Sequence, residues 1–338
     1  MLAQFHQYRR NPLPISWRKL NRSTTIYIVF SIIAIALLYR HYSPIGVPRE
    51  AEPGFRIDTS SEDGLLISRK IWQIMLPPSS SEGPSYKIDP EKLGDTASWL
   101  AQNPDYPYKL VGQKWADAFI GTRFAGDARL LHTYHSLQNP GSKSDLLRYL
   151  ILSAEGGVYT DTDTVALKPI DVWVPAHLRR RVRLIVGIEF DQLDGGGWAE
   201  IPHELQFCQW TIAAAPGHPV FPAMVERSLD TLEYYAGGHN LTVSQYSPTS
   251  FEVMNSTGPA AWTDVVFAQL QLADPEITTL RNLSGMTEPT LYGDILVLPI
   301  DGFGMGQPHS NSSSSDGPIP EAALVKHNFR GSWRSSEG

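Results

Sequence analysis

The stretch from Ser144 to Asp171, SDLLRYLILSAEGGVYTDTDTVALKPID, constrains the fold more than any other part of the chain. Ser144 reads as an N-cap, with a helix running to Ala154 or Glu155. Leu147, Leu150, Ile151 and Ala154 recur at helical spacing and predict a buried stripe. Asp145, Arg148 and Tyr149 stand at i, i+3 and i+4 and share the other face. Gly156-Gly157 stops the helix, and Val158-Tyr159-Thr160 enters a strand whose end carries Asp161 and Asp163. A helix, a tight glycine turn and a short buried strand in so few residues belong to an α/β sheet.

The rest of the chain repeats this alternation. KIWQIML, beginning near Arg69, predicts a first buried strand, and the residues from Thr96 predict a helix. Tyr108–Val111 reads as a strand and Gln113–Ile120 as a helix. Leu184–Ile188 (LIVGI) is a continuous apolar run, as expected for a strand covered on both faces. Phe207–Ala215 reads as one strand closed by Pro216-Gly217, Phe221–Tyr235 as a helix, and Ile295–Pro299 as a late strand. Such alternation predicts an α/β domain with a mainly parallel central sheet, whose ligands bind beyond the carboxyl ends of the strands. The serine-rich segment 309–320 (HSNSSSSDGPIP) reads as low-complexity and mobile.

Ahead of this domain, residues 23–39 (STTIYIVFSIIAIALLY) are uncharged between Arg22 and Arg40, roughly the lower length limit for a membrane-spanning helix. Arg40, His41 and Tyr42 follow where a signal peptidase would need small residues, so the segment reads as a signal anchor. Arg9, Arg10, Arg18, Lys19 and Arg22 precede it and keep residues 1–22 cytosolic. Residues 40–68 then read as a stem, and 69–334 as a luminal catalytic domain of a type II membrane protein. Asn-x-Ser/Thr triplets at Asn240, Asn255, Asn282 and Asn311 are compatible with that topology.

Charge and cysteine narrow the chemistry. Residues 1–49 hold seven basic residues and no acidic one, so a chain of net charge −7 carries −14 on the remainder. A body this acidic does not suit nucleic acid. The lone Cys208 permits neither an intramolecular disulfide nor a cysteine-based zinc site, and reads as a buried apolar residue.

Two carboxylates one residue apart at a strand end repel each other unless a cation intervenes. Asp161 and Asp163 offer hard oxygens suited to Mn²⁺ or Mg²⁺, and an ion held there neutralises a departing nucleoside diphosphate. The run Asp161-Thr162-Asp163-Thr164-Val165 is also similar to the Asp-x-Asp-x-Thr nucleophile motif of haloacid-dehalogenase-type phosphatases, with Val165 at the threonine position. That family places its motif on the first strand and follows it with a lysine and an acidic pair; here it lies mid-chain, and Gly293-Asp294 lacks a close second aspartate.

Taken together, SDLLRYLILSAEGGVYTDTDT resembles the donor-binding segment of glycosyltransferase family 32. KIWQ (70–73), SWLAQNPDYPYKL (98–110), GIE (187–189), QFCQWTIAAAPGHPVF (206–221), MNSTGPAAWTD (254–264), GDILVLPI (293–300) and HNFRGSW (327–333) resemble its fungal α-1,6-mannosyltransferases, in the same order. The resemblance implies a GT-A fold and retaining transfer of mannose from GDP-mannose to a mannose-containing N-glycan in the Golgi. It also implies Asp161, Asp163 and His327 as metal ligands, Asp145 and Arg148 as catalytic residues that contact the donor sugar or ribose and set the site's shape, and Tyr149 as a donor-binding residue. Trp333 would cover the nucleotide, while Glu189, Asp264 and Asp294 would orient donor or acceptor hydroxyls. Thr162 departs from the aliphatic residue common between the two aspartates. Two further roles stay open: transfer to an inositol phosphoceramide glycolipid, or a non-catalytic place in a Golgi mannosyltransferase complex, which would dispense with the metal ligands.

Overall fold

The computed structural model describes residues 64–77, 93–195, 197, 201–307, 310–314 and 316–330, all within one compact unit, 58–338. The expected span 23–39, most of the stem and Trp333 lie outside the described residues. Among the described residues, no helix is long and apolar enough to cross a membrane.

In chain order the elements are β1 (Ile71–Ile74), α1 (Thr96–Gln102), β2 (Tyr108–Val111), α2 (Gln113–Arg123), α3 (Ala128–Ser136), α4 (Pro140–Glu155), β3 (Gly157–Thr160) and β4 (Thr164–Ala166). There follow β5 (Leu184–Asp191), β6 (Leu205–Phe207), β7 (Thr211–Ala214), α5 (Val220–Gly238), α6 (Ser250–Ser256) and α7 (Pro259–Ala273). β8 (Thr290–Tyr292), β9 (Ile295–Leu298), α8 (Ile300–Gly304) and β10 (Val325–His327) complete them.

The main sheet runs β2-β1-β3-β7-β5-β9-β8, with β6 paired to β5. β1 is parallel to β2 and β3, and β5 to β9, but β7 lies antiparallel between β3 and β5. The sheet is therefore mixed, although β1, β2, β3, β5 and β9 share one direction. The expected single strand over Phe207–Ala215 is in fact two strands. Its middle, Cys208 to Trp210, leaves the ladder, with the Cys208 amide donating to the Gly187 carbonyl. This break lets the chain pair first with β5 and then with β3.

Alternation along β5 explains why its apolar run is continuous. Leu184, Val186 and Ile188 join a core with Leu147, Tyr149, Phe221 and Trp262. Ile185, with Leu296 and Leu298 of β9, faces a second core built on Trp99, Trp173 and Phe303. A strand covered on both faces has no polar side to show.

Helix α4 starts a turn earlier than expected. Its cap is Asn139, whose side chain accepts from the Ser142 amide at 2.9 Å, and Pro140 occupies the first turn. Asn-Pro outcompetes Ser144 because the amide caps well and proline is already set to helical φ. The helix is buried on both faces, since it lies between the sheet and α5. Gly156 ends it at φ +62°, where a Cβ would sit 2.7 Å from the Pro216 nitrogen and 2.8 Å from the Ala214 carbonyl. Only glycine fits a left-handed turn pressed so closely against neighbouring backbone.

The serine-rich segment departs from its expected mobility. Ser310 is fully buried, Asn311 donates to the Asp191 carbonyl at 2.6 Å, and Ser313 bonds the Asp301 carboxylate through both backbone and side chain. Short hydroxyl side chains here satisfy nearby backbone and carboxylate groups instead of remaining in water.

Candidate metal centre and its support

Asp161 follows the carboxyl end of β3, and Asp163 stands in the turn before β4. The small sheet of β4 and β10 is antiparallel, with His327 opposite Thr164. This pairing brings residues 164 positions apart into contact: His327 Nε2 lies 3.0 Å from Asp163 Oδ1. One ligand atom from each of Asp161, Asp163 and His327 lies within 4.8 Å of the others, and all three residues are half-buried. Two carboxylates and an imidazole supply a compact, anionic donor set that leaves coordination positions free for phosphate oxygens. These residues fit a hard divalent cation.

The turn that presents the aspartates is held from below. Gln73 donates to the Asp161 carbonyl at 3.0 Å, and its own oxygen accepts from Thr96 and Tyr108. Thr164 Oγ1 also bonds the Asp161 carbonyl, at 2.6 Å. The Asp161 carboxylate accepts from the Tyr159 hydroxyl at 2.5 Å. Asp163 accepts from the Arg330 amide, while Asp95 holds the Asn328 and Arg330 side chains at 3.0 and 2.9 Å. The strap carrying His327 is thus tied to both Asp163 and the start of α1.

Trp210 and Glu189 support the imidazole. The Trp210 ring lies 4.5 Å from that of His327, and its Nε1 donates to Glu189 Oε1 at 3.1 Å. Gln206 occupies the other Glu189 oxygen. Burial pushes the Glu189 carboxyl up, against the hydrogen bonds from Gln206 and Trp210. Glu189 therefore reaches the centre through Trp210.

Asp145 and Arg148 lie deeper than the sequence reading put them. They are only 7% and 5% exposed and are paired at 2.6 Å. Asp145 also accepts from Thr257, and Arg148 donates to the Gln209 carbonyl and stands 3.5 Å from Asp161 Oδ1. Tyr149 is a packing residue, stacked on Trp262 with its hydroxyl donating to the Thr257 carbonyl. In this geometry Asp145 and Arg148 form a buried layer behind Asp161.

The structure separates the two remaining acidic candidates from the centre. Asp294 precedes β9, so it lies at the amino end of the co-directional strands, opposite Asp161, where it faces Arg183 and His218. Asp294 is thus at the other end of these strands from the aspartate pair. Asp264, on α7, pairs with His203 and Arg227, and among the described residues no contact joins it to Asp161, Asp163 or His327. Sequence reasoning missed Gln73, Trp210, Thr257 and Asp95. KIWQ and QFCQWTI contained two of them, but glutamine and tryptophan in apolar strands read as packing.

Asp163 makes one measurable prediction. Burial raises its carboxyl, but His327 and the Arg330 amide outweigh this and hold it below the ordinary value. A depressed carboxylate stabilises the fold above its unfolded pKa of about 3.9 and loses that contribution as pH falls through the lower folded value. Asp163→Asn is expected to melt below the parent at pH 6 in EDTA, with the gap closing below about pH 4. A gap that widens on acidification, followed by thermal denaturation, would refute this assignment.

Residues 90–179 match the family described as glycosyltransferase sugar-binding region containing DXD motif. The initiation-specific alpha-1,6-mannosyltransferase of Schizosaccharomyces pombe is 36% identical over 272 residues, covering 79% of this chain and 64% of that protein. The Candida albicans protein of the same name is 34% identical over 256 residues, covering 70% of this chain and 65% of that protein. The matches thus span a little under two thirds of these relatives' lengths. A solved structure titled PaToxG Glycosyltransferase is similar at a TM-score of 0.42 and 16% identity, covering 62% of this chain and 73% of that one. With Asp161 and Asp163 inside the matched region and the likeness to these relatives running through most of the chain, the protein belongs to the glycosyltransferases that carry the sugar-binding region with a DXD motif.

Proposed function

We propose that this chain is a retaining α-1,6-mannosyltransferase of GT-A fold, transferring mannose from GDP-mannose to a mannose-containing N-glycan in the Golgi lumen. The observation that carries the reading is the Asp161, Asp163 and His327 cluster, drawn from a strand end and a distant strand into one donor set. The names of the relatives support mannose and the linkage. Residues 23–39 would anchor the protein as a type II membrane protein, with 69–334 in the lumen.

In this mechanism Asp161, Asp163 and His327 would hold Mn²⁺ or Mg²⁺, which would supply positive charge to a departing diphosphate. Gln73 and Thr164 fix the Asp161 backbone, and Tyr159 orients its carboxylate. Trp210 holds the imidazole plane. Glu189 is turned toward Gln206 and Trp210, which argues against its serving as a nucleophile. A front-face displacement, with a phosphate oxygen receiving the acceptor proton, is the reading consistent with that arrangement. Retention of both aspartates and of His327 argues against a purely structural subunit.

The test is a donor panel. The full chain in detergent, with Mn²⁺ and a mannose-terminated N-glycan, is expected to release GDP from GDP-mannose at least tenfold faster than it releases nucleotide from other sugar nucleotides. Product linkage analysis should give α-1,6. Equal turnover of UDP-sugars, or transfer only to inositol phosphoceramide, would overturn the donor or acceptor assignment.

A further inference from the structure

Beyond the metal centre, the carboxyl ends of β5 and β9 enclose a second feature. A cleft of about 380 Å³ opens between the end of β5, the turn around Met286 and the start of α8. Asp191, Asp301 and Asn311 give it polar groups, and Ile188, Met286 and Ile300 give it apolar ones. Among the described residues that line it, none is lysine or arginine.

Its position follows from the sheet. β3, β5 and β9 run in one direction, so the cleft lies at the same end as Asp161. β5 is two strands from β3, and β9 three. At about 4.8 Å per strand, the cleft stands about 10–14 Å along the sheet edge from the metal ligands. That separation leaves room for a transferred hexose beside the diphosphate and places the cleft beyond it.

The cleft's chemistry excludes an anion. A phosphate would meet two carboxylates without a cation to balance it. Carboxylate and carboxamide oxygens accept hydroxyl hydrogens, while aliphatic walls cover the C–H face of a pyranose ring. The polar groups are also held in place: Asp191 accepts from Ser284 and from the Gly285 amide, and Asp301 accepts from Ser313. Asn311 bridges the two sides through the Asp191 carbonyl. Folding of the serine-rich segment therefore builds one wall of the cleft.

We infer that this cleft binds a neutral hexose unit of the acceptor, next to the residue that receives the new linkage. The inference rests on the transferase reading above and adds to it a specificity against phosphorylated acceptors.

Ala322 and Thr287 are exposed residues on the cleft wall, so a larger side chain at either fills the space without entering the core. In the full chain with Mn²⁺ and GDP-mannose, Ala322→Trp and Thr287→Trp are each expected to raise the KM for a mannose-terminated N-glycan at least tenfold, with kcat changing less than threefold. Leu272→Trp, on the exposed face of α7, should leave that KM unchanged. Methyl α-mannoside should compete with the acceptor at least tenfold better than mannose 6-phosphate. An unchanged KM in both cleft variants, or equal competition by the phosphosugar, overturns the inference. If the parent turns over no GDP-mannose, the transferase reading fails separately. The cleft is then judged by saturation-transfer NMR with methyl α-mannoside: a signal lost in Ala322→Trp supports it, and no signal in the parent refutes it.

Discussion

Asp161→Ala and Asp163→Ala are each expected to lower kcat for nucleotide release by about 10³-fold, equivalent to about 4 kcal/mol of transition-state stabilisation. Removal of metal with EDTA should reach the same floor. The size follows from the charge. The carboxylates are the anionic members of the cluster, so on the proposed reading losing either would weaken the hold on the cation and its charge on the diphosphate. His327→Ala should cost less, about 10–100-fold, and recover in part at high Mn²⁺, because a neutral imidazole adds affinity and orientation without charge. The measurement is initial-rate nucleotide release across a metal titration, with circular dichroism to confirm folding. Asp163→Ala retaining more than a tenth of parental kcat would remove this cluster from the reaction. His327→Ala as damaging as either aspartate variant, and not rescued by metal, would assign the imidazole a role in the chemistry itself.

Of those three residues the aspartates stood out in the sequence by themselves, because a carboxylate pair at a strand end has few uses, whereas His327 entered only through the family resemblance. The surroundings were less so, for physical reasons. Spacing at i, i+3 and i+4 puts Asp145, Arg148 and Tyr149 on one helix face but says nothing of what covers that face. Here α6 and α7 do, through Thr257 and Trp262. Strand direction is equally silent in sequence. Asp294 adjoins an apolar strand as Asp161 does, yet it precedes its strand while Asp161 follows one, and the two come out at opposite ends of the sheet. Trp210 escaped notice because a tryptophan in an apolar run looks like core. The break between β6 and β7 turns it toward His327. The serine-rich segment misled in the other direction, since polar composition predicts solvation and cannot foresee Asp301 and Asp191 as partners.

Arg148→Met is expected to destabilise the fold by about 3–5 kcal/mol, the usual cost of stranding a buried charge. The guanidinium is almost wholly enclosed, with its plane 4.5 Å from the Tyr159 ring, Asp145 at 2.6 Å and Asp161 at 3.5 Å. Burial opposes its charge, and Tyr159, Asp145 and Asp161 together outweigh burial, so Arg148 stays protonated. Removing it leaves Asp145 with only the neutral Thr257 and Gln209 side chains as donors, in a site where burial already pushes the carboxyl up. A domain of this size should lose on the order of 10 °C in Tm. A carboxyl with a raised folded pKa binds its proton more readily folded than unfolded, so the deficit should shrink as pH falls and the carboxyl protonates. Asp145→Asn combined with Arg148→Met should recover about half the loss, because a neutral pair leaves no stranded charge. Thermal denaturation in EDTA at pH 7 and pH 5 separates this from any effect on metal binding. A loss below about 1 kcal/mol in Arg148→Met, or no recovery in the double variant, would mean that the pair is not the support beneath Asp161 that its burial indicates.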